Sequence, residues 1–98
     1  MPRRLRFSRR VPADLARALA WYDQQRPSLG NRFMQSVRDA LARIETNPAA
    51  YAVSFESNRT CTTKQFPYLI VYDFDERTIR VYAVVHAASD PQQWTIQD

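Results

Sequence analysis

Two apolar runs near the C-terminus constrain this chain most. Tyr68, Ile70, Tyr72 and Phe74 alternate with Leu69, Val71 and Asp73, and Ile79, Val81, Ala83 and Val85 alternate with Arg80, Tyr82, Val84 and His86. A period of two is the signature of a strand. Only Asp75-Glu76-Arg77 separates the runs, taken as 66–74 and 78–86, so they close into a β-hairpin. A further strand candidate, 53–64 with an interruption near Ser57-Asn58, precedes them and makes the C-terminal half a three-stranded meander.

Upstream the period changes. Leu15, Ala18, Leu19 and Tyr22 recur at helical spacing and predict a helix over 12–26, with Pro12 in its first turn, Asp14 complementing its N-terminal dipole, and Pro27 as its stop. Phe33, Val37, Ala40, Leu41 and Ile44 predict a second helix to about residue 46, capped by Ser28 and ended by Asn47-Pro48. Helices this close in sequence form an antiparallel hairpin. Gly30, the lone glycine, relieves crowding or angle strain where the second helix begins. Leu5 and Phe7 share one face of a short N-terminal edge strand, about 3–9.

The order strand, helical hairpin, meander gives an α+β layer architecture with both helices on one face of a sheet. Counting one strand up, helices down and up, then strands down, up and down sets the first and last strands in opposite directions. The sheet is therefore expected to be antiparallel throughout. Leu15, Leu19, Phe33, Val37, Leu41 and Ile44 should face it, with either the Ile70 or the Val71 side of the middle strand. Trp21, Tyr22, Phe33 and Tyr51 read as core aromatics, and Trp94 as an indole tucked beside a C-terminal turn.

At 98 residues the chain has room for one core, and a single domain over 1–98 is expected. No apolar run approaches the roughly 20 residues of a membrane span, and the arginine-rich start lacks the apolar segment of a signal peptide. The cytoplasm is the expected location. One cysteine, Cys61, cannot form an internal disulfide, and with the single histidine it cannot build a Cys/His zinc site. No metal or other cofactor is expected.

Charge is unevenly placed. Arg3, Arg4, Arg6, Arg9 and Arg10 give the first ten residues +5, whereas the remaining 88 hold nine bases against ten acids, or −1. Such a patch attracts a phosphate backbone or an acidic protein partner; a solvated strand edge that discourages aggregation is the plainer alternative. Among candidate catalytic groups, His86 would serve as acid or base and Arg59, Lys64 or Arg80 as cations in ribonucleolytic transfer. By simple alternation Arg80 and His86 share a face, yet six residues of strand put them roughly 20 Å apart.

Taken in order, Asp14-Leu15, Ala18 and Trp21-Tyr22, then Pro27-Ser28-Leu29-Gly30 and Arg32-Phe33, form a recognisable series. Ala40-Leu41, Arg43-Ile44, Asn47-Pro48, Tyr51 and Arg59 continue it. Phe66-Pro67-Tyr68, Ile70-Val71-Tyr72, Ala83-Val84 with His86, and Asp90-Pro91 with Trp94 complete it. The series resembles the RelE/ParE superfamily of type II toxin-antitoxin toxins, more closely its ParE, or plasmid-stabilisation, branch. Two positions depart from it: Leu69 and Ser89 stand where ParE-like chains commonly carry a cation. The resemblance implies a toxin that inhibits DNA gyrase and is neutralised by a cognate antitoxin, with Arg3, Arg4 and Arg6 as the expected contact for an acidic partner. Its alternative implication is a RelE-like, ribosome-dependent mRNA endoribonuclease using His86, Arg59 and Lys64. A non-toxic relative acting only as a binding module is a third reading.

Overall fold

Strand, two helices and four more strands follow one another along residues 2–94, which the computed structural model describes. They are β1 (Arg4–Phe7), α1 (Arg10–Gln25), α2 (Leu29–Thr46), β2 (Val53–Phe55), β3 (Asn58–Thr62), β4 (Tyr68–Phe74) and β5 (Thr78–His86), with 3₁₀ turns at Pro48–Ala50 and Pro91–Trp94. The strands form one sheet in the order β1-β5-β4-β3-β2. Its α+β class and its helix-on-sheet arrangement match the expectation from the sequence.

The strand directions do not. β1 pairs parallel with β5, Arg4 beside Thr78 and Phe7 beside Val81, so the sheet is mixed. The cause is one extra reversal. Residues 53–64 are two antiparallel strands rather than one interrupted strand, with Phe55 opposite Asn58 across a tight turn. A fourth strand after the helices brings β5 into the direction of β1. That turn carries Glu56 at φ 52, a left-handed conformation usually taken by glycine or asparagine.

A second departure lies within the hairpin. Val71 stands opposite Ala83 but Tyr72 opposite Val81, so Tyr82 is an extra residue and β5 carries a bulge. Before it, Ile79 and Val81 point into the helix-side core; after it, Val84 does, while Ala83 and Val85 join Val71 on the opposite face. Ile70 and Val71 are consequently both fully buried, one on each side of the sheet. The Pro91–Trp94 turn covers that second face, where Trp94 is buried and its Nε1–H donates to Ser89 Oγ at 2.8 Å.

α1 begins two residues earlier than expected, and Pro12 occupies its third position, where no helical acceptor awaits an N–H. Its buried stripe is Val11, Asp14, Ala18 and Tyr22. Leu15 packs at the margin of the core, and Leu19 turns toward α2, near Gly30. A Cβ on Gly30 would lie 2.5 Å from Leu19 Cδ1 and 2.6 Å from Asp23 Oδ1, so crowding, and no positive φ, is what this glycine relieves. Its N–H donates to Asp23 Oδ1 at 2.9 Å.

Arg26 is extended ahead of Pro27, and Ser28 then turns the chain at φ 67 without a side-chain cap, contrary to its expected capping role. α2 buries Phe33, Val37, Ala40 and Ile44 against the sheet, with Leu41 only half-buried. Trp21 is the exception among the expected core aromatics, at 55% exposed, whereas Tyr22 and Phe33 are buried and Tyr51 is half-buried. The Trp21 indole lies edge-on to the Tyr22 ring, with centroids 5.1 Å apart.

Candidate interaction surface

The N-terminal arginines divide by parity. β1 is an edge strand: Arg4 N–H donates to the Arg77 carbonyl and Ser8 N–H to the Val81 carbonyl, each at 2.9 Å, so the even-numbered amides point inward to β5. By strand alternation the amides of Leu5 and Phe7 point outward, along the open edge. Leu5 and Phe7 lie beside Ile79 and Val81 on the helix side, Arg4 and Arg6 beside Thr78 and Arg80 on the outer side. Phe7 is 49% exposed. Arg3 is held differently, with its Nε donating to the Asp75 carbonyl at 2.7 Å and its guanidinium over the Phe74 ring.

Arg80 spends its charge locally. It pairs with Asp73 at 2.7 Å and Asp75 at 2.9 Å, and Tyr82 Oη donates to Asp73. The Arg80 guanidinium and the Arg77 and Thr78 amides together hold the Asp75 carboxyl at about 2, while Asp75, Tyr82 and Asp73 raise Arg80 further. Among the described residues, no carboxylate pairs with Arg4 or Arg6.

Beyond Val81 the β1 side of β5 is sealed by side chains. Ser8 Oγ donates to the Tyr82 carbonyl at 2.6 Å, and Val84 N–H donates to Asp14 Oδ2 at 3.0 Å. Asp14 also accepts from Arg10 and Arg17, which makes a buried carboxylate with four donors and ties α1 to the sheet. This role replaces the dipole role expected of it. Arg10 and Arg17, four residues before and three after, are the signal in the sequence that pointed to it.

Next to this hub a cleft of about 580 Å³ opens between α1 and the ends of β4 and β5. Arg17 and Trp21 form one wall, Tyr68, His86 and Trp94 the other. His86 is opposite Tyr68, their rings 5.3 Å apart, and its Nδ1 accepts from Ala88 N–H, which leaves Nε2 as the donor of the neutral ring. Burial raises both the Tyr22 and Tyr68 hydroxyls.

The candidate nucleolytic groups are dispersed. The bulge puts Arg80 on the outer face and His86 on the helix face, so their shared parity is lost. Arg59 stands opposite Tyr72, four residues of β4 or roughly 13 Å from the Tyr68–His86 pair. Its guanidinium donates to the Tyr51 carbonyl at 2.5 Å and the Ala49 carbonyl at 3.3 Å, pinning the loop after α2. Lys64 is exposed in the β3–β4 turn, where its carbonyl accepts from Ser36 Oγ. Cys61 is buried, which pushes its thiol up, and no cluster of metal-ligating side chains occurs among the described residues.

A family profile described as "ParE toxin of type II toxin-antitoxin system, parDE" matches residues 5–91, from β1 into the final 3₁₀ turn. The chain belongs to the ParE toxin family. Proteins named Toxin ParE2 from two Mycobacterium tuberculosis strains, CDC 1551/Oshkosh and H37Rv, are each 32% identical to it over 92 residues, covering 93% of this chain and 88% of theirs. A solved structure described as the chromosomal ParDE TA system from P. aeruginosa shares the fold, with a TM-score of 0.75 at 18% identity over 86% of this chain and 95% of that one. This ParE-family chain uses its two departing positions structurally: Leu69 packs on the second face, and Ser89 accepts the Trp94 indole.

Proposed function

We propose that this chain is the toxin of a type II module that acts in the cytoplasm by inhibiting DNA gyrase, without cutting nucleic acid, and that a cognate antitoxin neutralises it. Gyrase is the target that the ParE resemblance implies. The observation that carries the non-catalytic reading is that no candidate cation is free beside His86: Arg59 clamps a loop, Arg80 is neutralised by two carboxylates, and Arg10 and Arg17, which do line the cleft with His86, are both paired with Asp14. Transfer at a phosphate needs its acid, base and cations around one centre. Excess pure protein is expected to block supercoiling by purified gyrase. Codon-associated transcript cuts after induction that vanish in His86→Ala would instead establish ribosome-dependent cleavage.

The antitoxin contact is assigned to the N-terminal strand, with unequal roles for its arginines. Arg4 and Arg6 supply the attraction, whereas Arg3 holds the β4–β5 turn against the edge. Exposed charges act on the approach, over about 8 Å at physiological salt, and less on the finished complex. Arg4→Gln with Arg6→Gln should slow antitoxin association severalfold and flatten its salt dependence while leaving dissociation nearly unchanged, as measured by surface-binding kinetics. Equal kinetics in the wild type and the double variant would reduce the patch to a solvated edge.

A further inference from the structure

The outer corner of the sheet at β1 is cationic and lacks an apolar anchor. Arg4 and Arg6 stand on its outer side, roughly 6–7 Å apart along the strand. Arg77 lies beside them in the β4–β5 turn, its carbonyl accepting from the Arg4 N–H. All three are exposed, and among the described residues none of their guanidiniums has a hydrogen-bond or ion-pair partner. Arg80, with its partners Asp73 and Asp75, adjoins them, and Glu76 is an exposed carboxylate of the same turn. With Arg3 included, five arginines meet three carboxylates at this corner, an excess of two positive charges.

The neighbouring side chains decide what such a corner can hold. Thr78 lies beside Arg4, and the Tyr82 hydroxyl is bonded to Asp73. The apolar residues of this face, Leu69, Val71, Ala83 and Val85, are gathered toward Trp94 at the other end. A stable protein interface centres on desolvated apolar anchors with charges at its rim, and this corner supplies only the rim. A nucleic-acid backbone needs no such anchor, because guanidiniums and hydroxyls on phosphate oxygens hold it as counterions are released. Single strands are gripped by stacking on accessible rings. Here those rings are elsewhere: Trp21, Tyr68 and His86 line the cleft, and Phe7 lies on the helix side.

Resting on the reading that this toxin acts on gyrase, we propose that Arg4, Arg6 and Arg77 hold the phosphate backbone of duplex DNA without regard to sequence, and so keep the toxin on the DNA that gyrase handles. His86 is on the opposite face of the sheet, so the contact positions the toxin and leaves the DNA uncut. The antitoxin, drawn to the same arginines, competes with that DNA.

The test is the anisotropy of a labelled duplex of about 20 base pairs, titrated with the full chain over a series of salt concentrations. Three phosphate contacts predict that log affinity falls against log salt with a slope of about −2.7. Arg4→Gln with Arg6→Gln should leave a slope of about −0.9 and weaken binding at low salt at least tenfold. Glu76→Gln, which removes a repelling carboxylate from the turn, should tighten binding severalfold. A duplex of scrambled sequence should bind equally well, and a single strand of the same length more weakly. No duplex binding at about 50 mM salt, or a slope that the double variant leaves unchanged, would overturn the proposal. Tighter binding of the single strand would overturn it too. Salt-sensitive capture of the antitoxin with no affinity for DNA would assign the arginines to an acidic protein alone, with the same consequence. Supercoiling assays on these preparations separate the two readings. DNA binding with normal supercoiling would refute the gyrase target alone, and full inhibition by a double variant that no longer binds DNA would refute the role of this contact alone.

Discussion

Tyr72 shows how a single buried polar group ties distant parts of this chain together. Its ring is fully enclosed, and its hydroxyl donates to the Pro48 carbonyl at 2.7 Å, joining β4 to the turn that ends the helical hairpin. Burial, with the nearby Cys61 adding to it and Arg59 opposing, pushes the hydroxyl up to about 12. A raised folded value favours the protonated form, so this contribution is complete below the ordinary tyrosine value near 10 and is lost as pH rises toward 12. Tyr72→Phe should cost about 1–3 kcal/mol at neutral pH, because the Pro48 carbonyl keeps its burial and loses its donor. It should also shrink the fall in melting temperature between pH 10 and 12. An alkaline limb identical to that of the wild type would remove Tyr72 as its source.

The elements divide into those that the sequence announces and those that depend on partners far along the chain. α2 is legible because Phe33, Val37, Ala40 and Ile44 keep helical spacing and all reach the sheet. α1 is rotated from its apparent stripe because Asp14, a charged residue, is drawn inward by two arginines and a strand amide. Apolar periodicity does not signal that; only the spacing of Arg10 and Arg17 about Asp14 does. The β2–β3 turn escaped for a related reason: with one glycine in the chain, left-handed turns fall to Ser28, Glu56 and Gln65, which carry no strong turn signal. Ser28→Gly should accordingly stabilise the helical hairpin by about 0.5–1 kcal/mol in denaturant unfolding, since the left-handed conformation costs an L-residue about 1–2 kcal/mol and glycine almost nothing. The helix face can be checked in the same way. Phe33→Ala should cost about 3–5 kcal/mol, and half-buried Leu41→Ala clearly less than the 2–5 kcal/mol of a full core leucine. Similar losses at both positions would contradict the orientation of α2.

At the scale of the whole molecule, one reversal and one bulge account for the largest differences between sequence and structure. Reversal count set β1 parallel to β5, and the bulge at Tyr82 split Arg80 from His86, a separation that no alternation rule conveys from sequence. The candidate surface was legible as charge but not as geometry: five arginines are visible in the first ten residues, whereas their sorting into a clamp and an open row requires the sheet. That sorting leaves a basic strand edge and a cleft as the two surfaces that the proposed binding mode would use. Supercoiling of relaxed plasmid by purified gyrase, titrated with the pure chain, tests this most directly. Dose-dependent inhibition that His86→Ala leaves unchanged is the predicted result; normal supercoiling at large excess of properly folded protein would contradict it.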